Sequence, residues 1–194
     1  MIDHIEGRLV EKTPTYAVIN CGGVGYILNI SLNTYGKIGE SEKCKLFAHL
    51  AIREDAHTLY GFADQQERNV FRHLISVSGV GASTARMILS SLSPLEVQQA
   101  VLTGNVGLLK SIKGIGEKSA QRILIDLNGK LGKEELSADF LTHPNNTMKD
   151  EALSALAMLG FARNSADKAI DKVLKQNSTI NSVEELIKQT LKNL

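Results

Sequence analysis

The chain has 194 residues, of which 43% are apolar and 5% aromatic, and 22 basic residues balance 21 acidic ones. This apolar share suffices for packed cores, so a fully disordered chain is excluded, and no stretch approaches the roughly 18 to 20 apolar residues of a membrane span. The N-terminus lacks the basic region followed by an apolar region that marks a signal peptide, so we predict a cytoplasmic protein. Cys21 and Cys44 do not have the spacing of metal ligands, and we predict that both are reduced thiols.

Alternating apolar and polar residues dominate the first 62 positions. The alternation occurs in short runs separated by turn residues, which is typical of half-buried strands. The runs cover residues 7–10, 16–19, 24–30, 45–52 and 58–62. We therefore predict five or six strands that form a small barrel of the five-stranded oligonucleotide-binding (OB) type over residues 1–63.

Helical periodicity begins at Asp64 and continues to residue 132. Apolar residues recur on one face in three successive segments. Between two of these segments, Ser93, Pro94 and Glu96 have the order of an N-cap, a first-turn proline and a capping-box glutamate. The sequence therefore predicts an all-α domain of about five short helices over residues 64–132.

A polar segment and a second helical region follow. Residues 129–147 are rich in Gly, Lys, Glu, Ser, Asn and Pro, and we place a flexible linker at residues 133–148. Three further apolar stripes predict a three-helix bundle over residues 149–194, which makes the whole chain an α+β multidomain protein. A domain of about 45 residues is small for independent stability, so we expect its surface to meet a partner.

A repeat in the predicted all-α domain carries the strongest chemical signal. An offset of 35 residues aligns residues 76–89 with residues 111–124, and six of the fourteen positions are identical. Each copy has Gly-apolar-Gly before an amphipathic helix, so we predict a duplicated helix-hairpin-helix whose first amide groups bind phosphate. The predicted phosphate-binding residues are Gly79, Val80, Gly81, Ser83 and Arg86 in the first copy, and Gly114, Ile115, Gly116, Lys118 and Arg122 in the second.

Charge is distributed unevenly along the chain. Residues 64–132 hold eight basic and five acidic side chains, whereas residues 1–63 hold six and seven. A basic excess on the repeated domain favours a nucleic-acid partner. A single Gly-apolar-Gly is as readily a tight turn between helices, but two copies favour phosphate binding.

Glu117 stands where a nucleotide-binding loop needs glycine, so we predict no ATPase activity. No cluster of residues in the sequence predicts a cofactor or a metal site.

Four motifs in order resemble a known family. The run Arg-Glu-Asp-Ala-His-Thr-Leu-Tyr-Gly-Phe at residues 53–62, Gly-Gly-Val-Gly-Tyr at residues 22–26 and both glycine loops resemble the RuvA family, the bacterial Holliday-junction-binding subunits of the branch-migration complex. The resemblance spans the chain from the first strand to the last helices. It implies an OB barrel that tetramerises, a tandem helix-hairpin-helix domain and a tethered three-helix domain. It also implies that Glu54 and Asp55 form an acidic pin where the strands of the junction part.

The same resemblance implies the partners. They are four-way junction DNA, the hexameric ATPase RuvB and the junction resolvase RuvC, with one homotetramer or two stacked tetramers on the DNA and no membrane. The chain itself would be a non-catalytic DNA-binding subunit. Leu156, Leu159 and Phe161 match exposed apolar positions that contact the motor, although Leu156 also fits a core stripe. Glu117 and Ser83 stand where the family commonly has basic residues, which implies weaker phosphate affinity or greater reliance on backbone amides.

Two other functions compete with this interpretation. Helix-hairpin-helix pairs also occur in DNA repair nucleases and glycosylases, but these need clustered carboxylates or a catalytic Asp or Lys. Outside the pin and the linker, adjacent acidic residues such as Glu184 and Glu185 face different directions on a helix. A single-strand binding protein would use exposed aromatic residues for base stacking, and the first domain has few.

Overall fold

Five strands form a closed barrel in the computed structural model, which describes residues 2–39, 41–128, 144–177, 180 and 182–193. The strands are β1 (His4–Lys12), β2 (Tyr16–Cys21), β3 (Val24–Ile30), β4 (Lys43–Ile52) and β5 (His57–Phe62). Their order around the barrel is β1-β2-β3-β5-β4, and only the β3–β5 pairing is parallel among the described strands. The predicted OB-type barrel is confirmed.

Strand periodicity explains the core of the barrel. Alternate side chains point inward, so Ala17 and Ile19 on β2, Leu28 and Ile30 on β3 and Leu46 on β4 are almost fully buried. A six-residue helix, α1 (Leu32–Lys37), connects β3 to β4 and was not predicted. It is too short and too polar to show an apolar period, and its signal is the N-cap Ser31, whose hydroxyl accepts the Thr34 N–H.

Five short helices follow the barrel, as the sequence predicts. They are α2 (Gln65–Ile75), α3 (Ala82–Ser91), α4 (Pro94–Thr103), α5 (Val106–Lys110) and α6 (Glu117–Leu127). The predicted capping box of Ser93 and Glu96 forms at the start of α4. Phe71 on α2 packs against Tyr60 and Phe62 on β5, with ring centroids 5.1 and 4.9 Å apart. Barrel and helices therefore belong to one compact unit, Met1–Lys133.

Two buried ionisable side chains on α2 hold the helices to the barrel. The carboxylate of Glu67 is fully buried and accepts hydrogen bonds from Ser31 and Thr34, the latter at 2.7 Å. Burial raises the pKa of Glu67. Next to it, Arg68 donates to the carbonyl and the carboxylate of Asp3 at 2.8 and 2.6 Å. These bonds set the orientation of α2, and with it the helical domain, on the barrel.

The second unit, Glu134–Leu194, contains a three-helix bundle. Its helices are α7 (Pro144–Met158), α8 (Arg163–Gln176) and α9 (Val183–Leu191), as predicted in number and order. Helix α7 begins at Pro144, so residues 144–148 of the predicted linker are helical. The sequence conceals this start because the first turns of α7 are polar and lack an apolar stripe. The rest of the predicted linker up to residue 143 lies outside the described residues, and the domain boundaries stay predictions.

Candidate nucleic-acid interface

The two Gly-apolar-Gly loops have the same backbone conformation. Gly79 and Gly114 have φ of 87° and 91°, which only glycine adopts readily. Gly81 and Gly116 are the N-caps of α3 and α6, with φ, ψ of −85°, 168° and −84°, 168°. This agreement confirms that the sequence repeat is a structural repeat, a tandem helix-hairpin-helix.

The apolar residue of each loop closes the turn from inside. Val80 and Ile115 are both buried, at 5% and 6% exposure. Their amides donate to Val77 O and Ile112 O at 3.0 and 3.1 Å, so each loop is bonded to the end of the preceding helix. Both side chains belong to the core of the helical domain. Each loop is therefore rigidly supported, and its glycines face outward.

The helices that follow these loops begin without a side-chain cap. Asp64 caps α2 and Ser93 caps α4, but within the described residues no side chain caps α3 or α6. The first amide groups of a helix lack acceptors within the helix, and with the positive end of the helix dipole they favour an anion. A Cβ placed on Gly116 would have no heavy atom of the described residues within 4 Å. An anion can therefore approach this backbone closely.

The basic residues predicted for the two loops differ in position. Lys118 and Arg122 are exposed on α6, and Arg122 Nη1 lies 3.3 Å from the carbonyl oxygen of Ser78. Arg122 thus reaches from the second hairpin to the first. Arg86 is half-buried instead, and its Nη1 donates to Thr15 O and to Asn29 Oδ1, both at 3.0 Å. Arg86 therefore also contacts the barrel, and its role in phosphate binding stays a prediction.

Glu117 and Ser83, which stand where the RuvA family commonly has basic residues, lie in the first turns of α6 and α3. Glu117, the first residue of α6, pairs with Lys110 and accepts a hydrogen bond from Gln121 at 3.3 Å. The hydrogen bond from Lys110 lowers the pKa of Glu117. This lysine offsets the negative charge of Glu117 at the start of α6. Ser83 is exposed in the first turn of α3.

The predicted acidic pin lies at the tip of a hairpin. β4 ends at Ile52 and β5 begins at His57, and these two residues pair across the hairpin. The amide of Arg53 donates to Ala56 O at 2.9 Å and closes the turn. Glu54 and Asp55 lie inside that turn, and both are exposed. Two carboxylates therefore project together from the barrel.

Sequence reasoning missed Arg53 as a candidate site residue. Its Nη2 lies 3.8 Å from the position that a Cβ on Gly81 would occupy, so the base of the acidic hairpin adjoins the first glycine loop. No local pattern in the sequence could have revealed this proximity, because strand and loop meet only when the helices pack on the barrel.

The three apolar residues predicted to contact a motor divide into two groups. Leu156 is fully buried in the bundle core, so its assignment to a contact surface is corrected. Leu159 and Phe161 are 60% and 38% exposed, and Met158, which was not predicted, is 89% exposed. The change from buried Leu156 to exposed Leu159 and Phe161 occurs where α7 ends. There Gly160 has φ of 95°, and Phe161 N donates to Leu156 O at 3.1 Å.

The described part of the chain offers neither a metal cluster nor a membrane span. No group of three or more His, Cys, Asp or Glu side chains in it could hold a metal ion. None of its helices is both long and apolar enough to cross a bilayer. Cys21 and Cys44 are free thiols, and burial raises the pKa of Cys44.

Comparison with known proteins covers nearly the whole chain. Family models match in chain order: the RuvA N terminal domain at residues 1–61, the SAM-like helix-hairpin-helix tandem at residues 71–128 and the RuvA C-terminal domain at residues 147–194. Proteins named Holliday junction branch migration complex subunit RuvA from Christiangramia forsetii and Flavobacterium psychrophilum are 50% and 52% identical over 194 residues. The protein of that name from Bacteroides fragilis is 48% identical over 202 aligned residues. In all three cases the alignment covers 100% of both chains.

Proposed function

Because the chain belongs to the RuvA family, we propose that it binds four-way DNA junctions by their shape and holds them open for branch migration. The observation that carries this proposal is the pair of matching, uncapped glycine loops in the same compact unit as the acidic hairpin. We propose a non-catalytic role, in which the chain positions DNA for a separate hexameric ATPase, RuvB.

The glycine loops would hold the arms of the junction by their backbones. Amide groups at the starts of α3 and α6 can donate to phosphate oxygens, which are the same for every base. Lys118 and Arg122 are exposed beside these loops and add positive charge. Contacts of this kind set the position of the DNA without reading its sequence, as movement of a junction through arbitrary DNA requires.

The acidic hairpin would act by repulsion. In a homotetramer, four copies of Glu54 and Asp55 would bring about eight negative charges to the centre of the junction. Each close pair with a phosphate costs roughly 1 kcal/mol in water and more where water is excluded. An intact duplex across the centre is thereby disfavoured, while the glycine loops attract the arms around it.

The C-terminal bundle would engage the motor. Met158, Leu159 and Phe161 lie together at the end of α7 and are exposed, whereas most apolar side chains of α7 and α8 are buried in the bundle. Exposed apolar clusters of this kind are typical of protein–protein contacts. We propose that this cluster binds RuvB, and that the tetramer, alone or as two stacked tetramers, leaves access for the resolvase RuvC.

Competition binding tests the proposal. A labelled four-way junction bound to the full chain should resist displacement by single strands and plain duplex of the same sequence, and unlabelled junction should displace it. If eight loops each neutralise one phosphate, the slope of log affinity against log salt should be about −7. Equal affinity for duplex and junction, or a slope of about −1, would contradict the proposal.

Two further measurements separate this proposal from its alternatives. Native mass spectrometry with and without a junction should show a tetramer, or two tetramers, on the DNA. Incubation of the pure protein with labelled junction and Mg²⁺ should leave the strands intact. Cleaved product would favour a helix-hairpin-helix repair nuclease instead.

A further inference from the structure

We propose that Arg53, at the base of the acidic hairpin, supplies the cationic phosphate contact of the first glycine loop and thereby couples this loop to Glu54 and Asp55. This inference rests on the proposed binding of junction DNA. Arg53 lies outside both helix-hairpin-helix motifs, and it is not one of the two carboxylate residues at the tip of the acidic hairpin.

The first loop has no basic side chain of its own at the start of its helix. The first turn of α3 contains Ala82, Ser83 and Thr84, whereas the corresponding turn of α6 contains the exposed Lys118. Arg86, the next basic residue on α3, donates to the barrel instead. A cation for the first loop must therefore come from another element of the fold.

Two guanidinium groups from other elements flank this loop. Arg122 Nη1 lies 4.0 Å from the Cβ position of Gly79, and Arg53 Nη2 lies 3.8 Å from that of Gly81. Arg122 already has hydrogen-bond geometry to Ser78. Arg53 is exposed, and among the described residues its guanidinium forms neither an ion pair nor a hydrogen bond. It is therefore available to an anion.

The position of Arg53 suits a phosphate shared with the loop. Gly81 is the N-cap of α3, so an anion bound by the first amides of this helix would lie beside its Cα. A guanidinium offers several N–H donors in one plane and binds phosphate through two of them at once. The amides of α3 and the side chain of Arg53 can thus hold one phosphate from two directions.

The same contact would position the acidic hairpin. The amide of Arg53 closes the hairpin turn through Ala56 O at 2.9 Å, and Glu54 and Asp55 follow directly. A phosphate held by Arg53 therefore lies next to the base of the turn that carries both carboxylates. Attraction at the base and repulsion at the tip would act on neighbouring phosphates of the same arm. Arg53 would then be both a binding residue and a positioning residue.

Salt-dependent junction binding by the full chain tests this inference. In R53Q, we expect weaker affinity at low salt, and the slope of log affinity against log salt should lose about 0.9 in magnitude for each Arg53 that engages a phosphate. R53K should keep the slope, because it keeps the charge. R53Q/S83K should restore it, because residue 83 is exposed in the first turn of α3, beside the same loop.

K43Q is the matched control. Lys43 is exposed at the opposite end of β4 from Arg53, so its loss removes one charge far from the loop and should leave the slope unchanged. Equal slopes for R53Q and K43Q, or weaker binding by R53Q at an unchanged slope, would overturn the inference. If the wild-type chain itself shows no preference for junction over duplex, the proposed function fails. If the preference is present but R53Q retains the wild-type slope, only the role of Arg53 fails.

Discussion

Substitution of Gly116 by alanine should separate folding from DNA binding. Its backbone is extended, with φ of −84° and ψ of 168°, which any residue adopts. A Cβ there would meet no heavy atom of the described residues within 4 Å. Alanine is a poorer N-cap than glycine by about 0.5 to 1 kcal/mol, and the stiffer unfolded chain offsets about 0.4 to 1 kcal/mol. We therefore expect the free energy of unfolding of G116A to change by less than about 1 kcal/mol.

Binding should respond far more strongly than folding. A phosphate must come within about 2.9 Å of the first amide nitrogens of α6, and the new methyl group occupies part of that open space. Loss of one charge-assisted hydrogen bond costs about 1.5 to 3 kcal/mol, which weakens affinity about 10-fold to more than 100-fold for each loop affected.

Urea unfolding and fluorescence anisotropy with a labelled junction measure the two effects. G7A is the contrasting variant, because a Cβ on Gly7 would lie 2.2 Å from the carbonyl oxygen of Asn20, and we expect it to lose stability. A G116A protein of unchanged stability that binds the junction within about twofold of the wild type would refute the close approach of phosphate to this loop.

Three further predictions concern the core, the bundle and the hairpin. E67Q should lower the free energy of unfolding by about 1 kcal/mol, because one buried hydroxyl loses its carboxylate acceptor. Burial raises the pKa of Glu67, so the folded state binds the proton more tightly than the unfolded state. The free energy of unfolding of the wild type, relative to that of E67Q, should therefore fall as the pH rises above the ordinary pKa of a glutamate, and a rise in urea titrations would contradict this. L156A should destabilise the bundle by about 2 to 5 kcal/mol by thermal unfolding, whereas F161A should keep the melting temperature and weaken calorimetric binding of RuvB; an equal loss of stability in both variants would show that Phe161 is a core residue. Replacement of both Glu54 and Asp55 by lysine should keep or tighten junction binding and impair motor-driven strand exchange, and weaker binding would argue against repulsion.

Local features of the fold were predictable because short-range forces produce them. Alternation identified the barrel strands, and the cap at Ser93 marked the start of α4. Helix α1 was missed because its six residues make fewer than two turns, which is too short for an apolar period to show. An apolar stripe on a helix also predicts a buried face without saying where burial stops, so the sequence did not show that Leu156 is buried whereas Leu159 is exposed.

In the candidate site, the sequence predicted the glycine loops but not the contacts of the charged residues. The positive φ of Gly79 and Gly114 follows from a repeated pattern that occupies only a few consecutive residues. The partners of the arginines depend instead on how the helices dock on the barrel. The contacts of Arg86 with Thr15 and Asn29, for example, could not be predicted from the sequence around Arg86.

The sequence by itself determined the order of the domains, the duplicated hairpins and the pair of carboxylates at the hairpin tip, because turns, caps and periodicity act between residues close in the chain. Only the tertiary structure decided which side chains surround the first glycine loop. The buried bonds of Glu67 and Arg68 orient the helices on the barrel, and that orientation brings Arg53 beside Gly81. Such contacts join residues distant in sequence, so their geometry depends on the packing of the whole unit rather than on any local pattern.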